Sequence, residues 1–391
     1  MQLLVAVGEV YEAERLMPIT SAHVVSNCYK TSGEENIQWL TELINGGAQF
    51  SVLTTLNAGS VDPLRYREMG VNEELVENQR RLTECYVKLG ALPTVSCLPY
   101  MHGNAPRLKE HISWAGTSSA VYANSVLGGW GNREGGPSVV AAAIAGKTTE
   151  YGLHFAENRR AQVVVDTRKL DLSCFSLSDY SALGCYVGKE LEEKIPVFPY
   201  FPPSISQKQL RFLMAPMPSA GAVPLCHVVG VTPEAPNLET ALGDKKPDNT
   251  LEVGNKEILE TRQSLCTTKG SRLDLVAFGC PHCSYSFIQS IASMLDGKKI
   301  NNGVRLWVST SEYIRLMAKR MGLVDIIERA GGVVLTGVCI GFGGPFDEIK
   351  GLEVVATNSA RAALYMRGKT SVLFGSARQC IESAIRGKWE G

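Results

Sequence analysis

Cysteine carries most of the chemical signal in this chain. Three of the eleven cysteines follow short apolar runs and precede turns built from proline or glycine: Cys97 in PTVSCLPY, Cys280 in LDLVAFGCPHC and Cys339 in VVLTGVCIGFGG. In such turns backbone N–H groups are available to hydrogen-bond sulfur and stabilise negative charge. One cysteine of this kind is commonly a small apolar filler, but three in equivalent settings point to shared chemistry. Cys283 follows Cys280 closely, so CPHC also reads as a dithiol redox motif at the mouth of a helix. His282, between the two, is a candidate to support whatever the cysteines hold. Cys28, Cys85, Cys174, Cys185, Cys226, Cys266 and Cys380 stand in no such setting and read as packing residues.

A second signal is the run SSAVYANSVLGGWGNREGGPS, residues 118–138. Asn124, Ser125, Asn132 and Ser138 offer neutral hydrogen-bonding groups, and Arg133 offers a planar fork for carboxylate or phosphate. Gly135 and Gly136 let the backbone approach an anion closely. The run has neither the GK[ST] ending of a phosphate loop nor a G-x-G-x-x-G fingerprint, so a small anion suits it better than a nucleotide. LTTLNAGSVD (53–62) adds Thr54, Thr55 and Asn57 at a strand end. YGLHFAENRRAQ (151–162) adds His154, which by itself reads more readily as a structural histidine than as a catalyst.

These side chains need a scaffold, and its type is legible. Apolar, β-branched runs recur at FSVLTTL, PTVSCL, AQVVVD, LDLVAF, VRLWVST, VVLTGV, LEVVAT and SVLFGS. Between several of them lie stretches of helical period, such as NEELVENQRRLTECYVKLG and SEYIRLMAKRMG. Strands alternating with helices predict parallel sheets with crossover helices, hence an α/β class. The polar segment 231–268 suggests a boundary near 235, dividing residues 1–235 from 236–391.

Lys plus Arg and Asp plus Glu both total 39 in 391 residues, so no basic surplus draws the chain to nucleic acid or an anionic membrane. No apolar stretch reaches membrane-spanning length, and the N-terminus has no secretory pattern. A cytoplasmic location is expected, and an odd number of cysteines there argues for free thiols.

Taken together, YANSVLG with NREGGPS, TTLN at 54–57, YGLHFAENRRA, GCPH at 279–282 and TNSA at 357–360 resemble the large, catalytic subunit of the aconitase X family, over essentially the whole chain. The resemblance implies an aconitase-superfamily catalytic core of parallel-sheet α/β subdomains without the swivelling domain, which a separate small subunit would supply. It implies a hydro-lyase acting on mevalonate 5-phosphate, or alternatively on cis-3-hydroxy-L-proline. It also implies an iron–sulfur cluster on Cys97, Cys280 and Cys339, 4Fe-4S in the first instance, with 2Fe-2S or a single iron as alternatives. The proton-abstracting base would sit on the small subunit. By the same resemblance Thr54, Thr55, Asn57, Asn124, Ser125, Asn132, Arg133, Gly135, Gly136, Ser138 and His154 would serve a small anionic substrate. The chain departs from the family pattern at Gly116, where glutamate is usual, at Gly337, where aspartate is usual, and at Cys28, where serine is common. A dithiol redox protein or a non-catalytic homologue are the readings from other classes.

Overall fold

A computed structural model describes residues 1–390. Three parallel sheets carry the chain, joined by an antiparallel pair, Leu16–Pro18 with Lys147–Thr149. In the first sheet Ser21–Val24 lies between Leu53–Leu56 and Ile112–Trp114. The second has the order His227–Val228, Pro196–Phe198, Val163–Asp166, Asn249–Glu252. The third runs Val333–Thr336, Arg305–Thr310, Leu275–Phe278, Val354–Thr357, Ser371–Phe374. The predicted α/β class is therefore the observed one. The polar segment 231–268 holds the last strand of the second sheet and then the helix Asn255–Leu265.

Burial explains why the third sheet is so readable. Leu275–Phe278 and Val354–Thr357 are buried at every position, so both faces are covered by crossover helices and neither face needs polar residues. The two helices predicted from periodicity form with side-chain caps: Asn72 accepts from the Leu75 amide to start Glu73–Lys88, and Ser311 accepts from the Ile314 amide to start Glu312–Arg320. Such caps satisfy amides that the first turn leaves without helical partners.

One expected strand does not form. PTVSCL (93–98) runs beside Leu53–Leu56 as irregular chain, touching it by an isolated bridge at Leu92. Pro93 brings no N–H, and the Thr94 hydroxyl replaces the ladder by accepting from the Leu56 amide at 3.2 Å and donating to its carbonyl at 2.9 Å. Val95 then turns the chain at φ 39, a conformation that β-branched residues rarely adopt. Cys97 thus follows a loop rather than a strand. Among the described residues no helix is long and apolar enough to cross a membrane.

Candidate functional site

The carboxyl ends of the first and third sheets face one cavity of about 510 Å³, the place where open parallel sheets bind ligands. Each wall segment continues a strand. Val25, Ser26 and Cys28 follow Ser21–Val24, Asn57 and Ala58 follow Leu53–Leu56, and Ala115 and Thr117 follow Ile112–Trp114. From the third sheet come Cys280 after Leu275–Phe278, Cys339 after Val333–Thr336, and Arg361 after Val354–Thr357. The helix Gly136–Ala145 points its N-terminus at the same space through Gly136 and Pro137, where the helix dipole and free amides favour an anion.

The structure brings Cys97, Cys280 and Cys339 together from three loops. Each lies within electrostatic reach of the other two, and a Cβ on Gly341 would stand 3.4 Å from Cys280 Sγ and 3.9 Å from Cys339 Sγ. Backbone hydrogen bonds fix the Cys339 turn against the Asn57–Gly59 turn: the Gly59 amide donates to Gly337 O at 2.8 Å and the Cys339 amide to Gly59 O at 2.9 Å. Burial pushes the Cys97 thiol up to about 11 and the Cys280 thiol up to about 12. All eleven cysteines are free.

Cys283 lies within the same reach of Cys97 but differs from the other three in its surroundings. Like Cys97 it does not line the cavity, and burial holds its thiol far above the ordinary range. Its amide donates to Ser309 O at 2.9 Å, and its carbonyl accepts from Thr310 Oγ1 at 2.6 Å. A redox dithiol needs an accessible thiolate of lowered pKa, and neither Cys280 nor Cys283 has one.

Arg361 is the cation of the cavity. Only its Nη1 is used by the protein, donating to Ser219 Oγ at 2.5 Å and to Ala215 O at 3.2 Å. Among the described residues Nε and Nη2 have no hydrogen-bond partner. Tyr365 stacks beneath the guanidinium at 4.9 Å, and all three site thiols lie close to it. That leaves a positively charged fork open to an anionic ligand.

Of the residues expected to serve a substrate, Asn57 and Gly136 line the cavity. Gly135 precedes the helix, and Ser138 Oγ caps it by accepting from the Gly135 amide at 3.1 Å. Arg133 is exposed and donates to Ala222 O at 3.0 Å. Thr54 bonds Val52 O, while Thr55 Oγ1 lies 2.9 Å from His23 Nδ1. Four others form a buried scaffold behind the wall. Asn124 bridges Gly131 and Pro224, Ser125 accepts from the Cys226 amide, and Asn132 ties down Tyr151 and Leu153. His154 pairs with His111 at 3.0 Å, and burial lowers its pKa to about 3. Arg159 joins this scaffold through Asn124 O and an ion pair with Glu234 at 2.5 Å.

Sequence reasoning missed Ser26, Cys28, Thr117, Arg361 and Tyr365, all of which line the cavity. The strand-end logic that found the cysteines reaches Ser26 and Cys28 once SAHV is recognised as a strand. Arg361 directly follows the TNSA motif.

Neither glycine departure opens the cavity wall. A Cβ on Gly116 would meet Ser119 Oγ and stand 3.3 Å from the His23 ring. Gly337 has φ +68, and its Cβ would fall 2.7 Å from Val95 Cγ1, on the side away from the thiols, where Pro93, Thr94 and Val95 line a separate groove. Left-handed backbone and a close neighbour both disfavour a side chain there. Gly337→Ala is expected to cost about 1–3 kcal/mol in chemical denaturation, and Val95→Ala in the same chain to restore much of it. Additive losses in that double variant would show the contact to be irrelevant.

The first, second and third domain models of aconitase X match residues 1–157, 161–263 and 273–386. A phosphomevalonate dehydratase large subunit from Methanothermobacter thermautotrophicus is 44% identical over 94% of this chain and 89% of its own length. One from Methanocaldococcus jannaschii is 38% identical over 99% and 94%. A cis-3-hydroxy-L-proline dehydratase from Pseudomonas aeruginosa is 31% identical over 99% of this chain and 67% of that protein. The crystal structure of Thermococcus kodakaraensis aconitase X in its holo-form superimposes with a TM-score of 0.87 at 35% identity, covering 98% of this chain and 94% of that one. With three domain models along its length and full-length relatives at these identities, the chain belongs to the aconitase X family.

Proposed function

We propose that this chain is the large subunit of a two-subunit hydro-lyase that dehydrates mevalonate 5-phosphate, with an iron–sulfur cluster held by Cys97, Cys280 and Cys339. The observation that carries the reading is the convergence of three thiols from three loops beside the open fork of Arg361. Those residues suit a cluster. Cysteine thiolates are the usual ligands of such clusters, and Cys280 and Cys339 approach each other around Gly341 while Cys97 accepts from the His282 amide beside Cys280. Bound there by Cys97, Cys280 and Cys339, a cluster would supply a Lewis acid for the departing hydroxyl.

The chain's own residues bind and orient. Arg361 takes an anionic group of the substrate with the open part of its fork. The amide end of Gly136–Ala145 takes a second anion, with Asn57 and Ser26 as neutral hydrogen-bonding partners, and Arg133, just before the helix, adds its charge to that end. Thr54, Thr55, Asn124, Ser125, Asn132, Ser138 and His154 hold those walls in place. Among the described residues lining the cavity there is no carboxylate and no histidine. This supports placing the base on a partner, in keeping with relatives that are named large subunits.

The test is turnover by the anaerobically reconstituted chain with its small subunit, offered mevalonate 5-phosphate and cis-3-hydroxy-L-proline in turn. Arg133→Ala should raise KM for the phosphorylated substrate about 10- to 100-fold, the equivalent of one charged hydrogen bond of about 1.5–3 kcal/mol. Turnover of hydroxyproline alone, unchanged in Arg133→Ala, would overturn the substrate assignment.

A further inference from the structure

His282 touches all three cysteine loops. It is buried, 4% exposed, and sits in the turn that carries Cys280. Its backbone amide donates to Cys97 Sγ at 3.2 Å. Its Nδ1 lies 3.3 Å from the hydroxyl of Ser96, the residue before Cys97. Its Nε2 lies 3.0 Å from the carbonyl of Val338, the residue before Cys339.

The partners fix the tautomer. A carbonyl can only accept, so Nε2 carries the hydrogen and donates to Val338 O. Nδ1 is then bare and accepts from the Ser96 hydroxyl, whose oxygen also accepts from the Leu98 amide at 3.2 Å. Every polar atom of the ring is used, and none of them faces the cavity. The carbonyl of Val338 is held from the other side by Ser309 Oγ at 2.6 Å. Among the described residues no other side chain in one of these loops is hydrogen-bonded to both of the others.

We infer that His282 is a positioning residue that sets the spacing of Cys97, Cys280 and Cys339. The inference rests on the reading of those three as the ligands of an iron–sulfur cluster. It extends that reading, because groups that orient metal ligands typically alter affinity by about 10- to 100-fold when removed.

The amide variants divide the ring's two roles. His282→Gln places an amide N–H near the position of Nε2 and so keeps the bond to Val338 while releasing Ser96. His282→Asn places an amide oxygen near Nδ1 and so keeps Ser96 while releasing Val338. His282→Ala releases both.

The experiment reconstitutes the full chain and each variant anaerobically, follows cluster absorbance while a chelator removes iron, and records circular dichroism to show that each is folded. The iron-free chains are alkylated with iodoacetamide, and Cys97 and Cys339 are quantified against Cys28 by mass spectrometry. The expected result is iron loss at least about tenfold faster in His282→Ala, with Gln and Asn intermediate. Alkylation should rise at Cys339 in His282→Asn and at Cys97 in His282→Gln. Folded variants that lose iron at the wild-type rate would overturn the inference. If His282→Ala does not fold, the Gln and Asn variants decide it by the same criterion. If the wild-type chain takes up no iron, the cluster reading fails instead, and the inference stands or falls on the alkylation pattern, unchanged alkylation overturning it.

Discussion

Replacing Cys280 by serine is expected to abolish iron uptake in the anaerobically reconstituted chain, and Cys283→Ser to leave most of it. The two residues share one four-residue motif but meet different surroundings. Cys280 lines the cavity with Cys339 and lies beside Cys97, so losing its sulfur leaves two thiols from separate loops. Cys283 is packed into the third sheet, and its backbone rather than its sulfur makes its hydrogen bonds. Its hydroxyl replacement costs packing and leaves the cavity unchanged. Cys97→Ser and Cys339→Ser should behave like Cys280→Ser. Iron and sulfide content per chain, with absorbance in the visible, checks the expectation. Equal iron loss in Cys280→Ser and Cys283→Ser would return the motif to a single dithiol site.

Arg361→Ala in the reconstituted complex is expected to lower kcat/KM for mevalonate 5-phosphate by about 10²- to 10³-fold, which is about 2.7–4 kcal/mol at 1.36 kcal/mol per tenfold. The guanidinium is held by one nitrogen against Ser219 and Ala215, leaving the rest of its fork for the ligand. Arg361→Lys restores little of the loss, because an ammonium is a point charge that neither stacks on Tyr365 as a plane nor bonds in two parallel directions. Cluster content should stay near wild type in both variants, which separates substrate binding from loading. A rate loss matched by an equal loss of iron would make Arg361 a support of the cluster instead.

The fold was legible where burial erased ambiguity. Strands such as Leu275–Phe278 and Val354–Thr357 are covered on both faces and therefore apolar throughout. Ser21–Val24, the middle strand of its sheet, was not legible: it reads SAHV, yet all four residues are buried. His23 and Ser21 survive there because each has a partner, Thr55 Oγ1 for the ring and the Trp114 Nε1–H for the hydroxyl. PTVSCL misled in the other direction. Its β-branched residues have strand propensity, but Pro93 and the left-handed turn at Val95 keep it out of the ladder.

The same contrast holds at the site. The strand expected before Cys97 does not form, whereas Cys280 and Cys339 could be found from strand ends and turn residues, which are local features. Arg361 could not, since an arginine in the first turn of the helix Ala360–Met366 reads as a solvated side chain. What holds it in the cavity is Ser219, which is 142 residues away in sequence. Cys28 read as packing because its own neighbours in sequence say nothing of Cys339, which only folding brings near it. Polar residues of the 118–138 run were legible as a network, but Asn124, Ser125 and Asn132 spend their hydrogen bonds on the backbone of neighbouring loops.

The most direct test of the central claim, that dehydration occurs in the cavity beside Cys97, Cys280 and Cys339, is a single assay of product formation from mevalonate 5-phosphate. It uses the anaerobically reconstituted chain with its small subunit, alongside the same complex built with the Cys97→Ser, Cys280→Ser, Cys339→Ser triple variant. Turnover by the first and none by the second is the predicted result. Turnover by the triple variant at a rate comparable to wild type would contradict it.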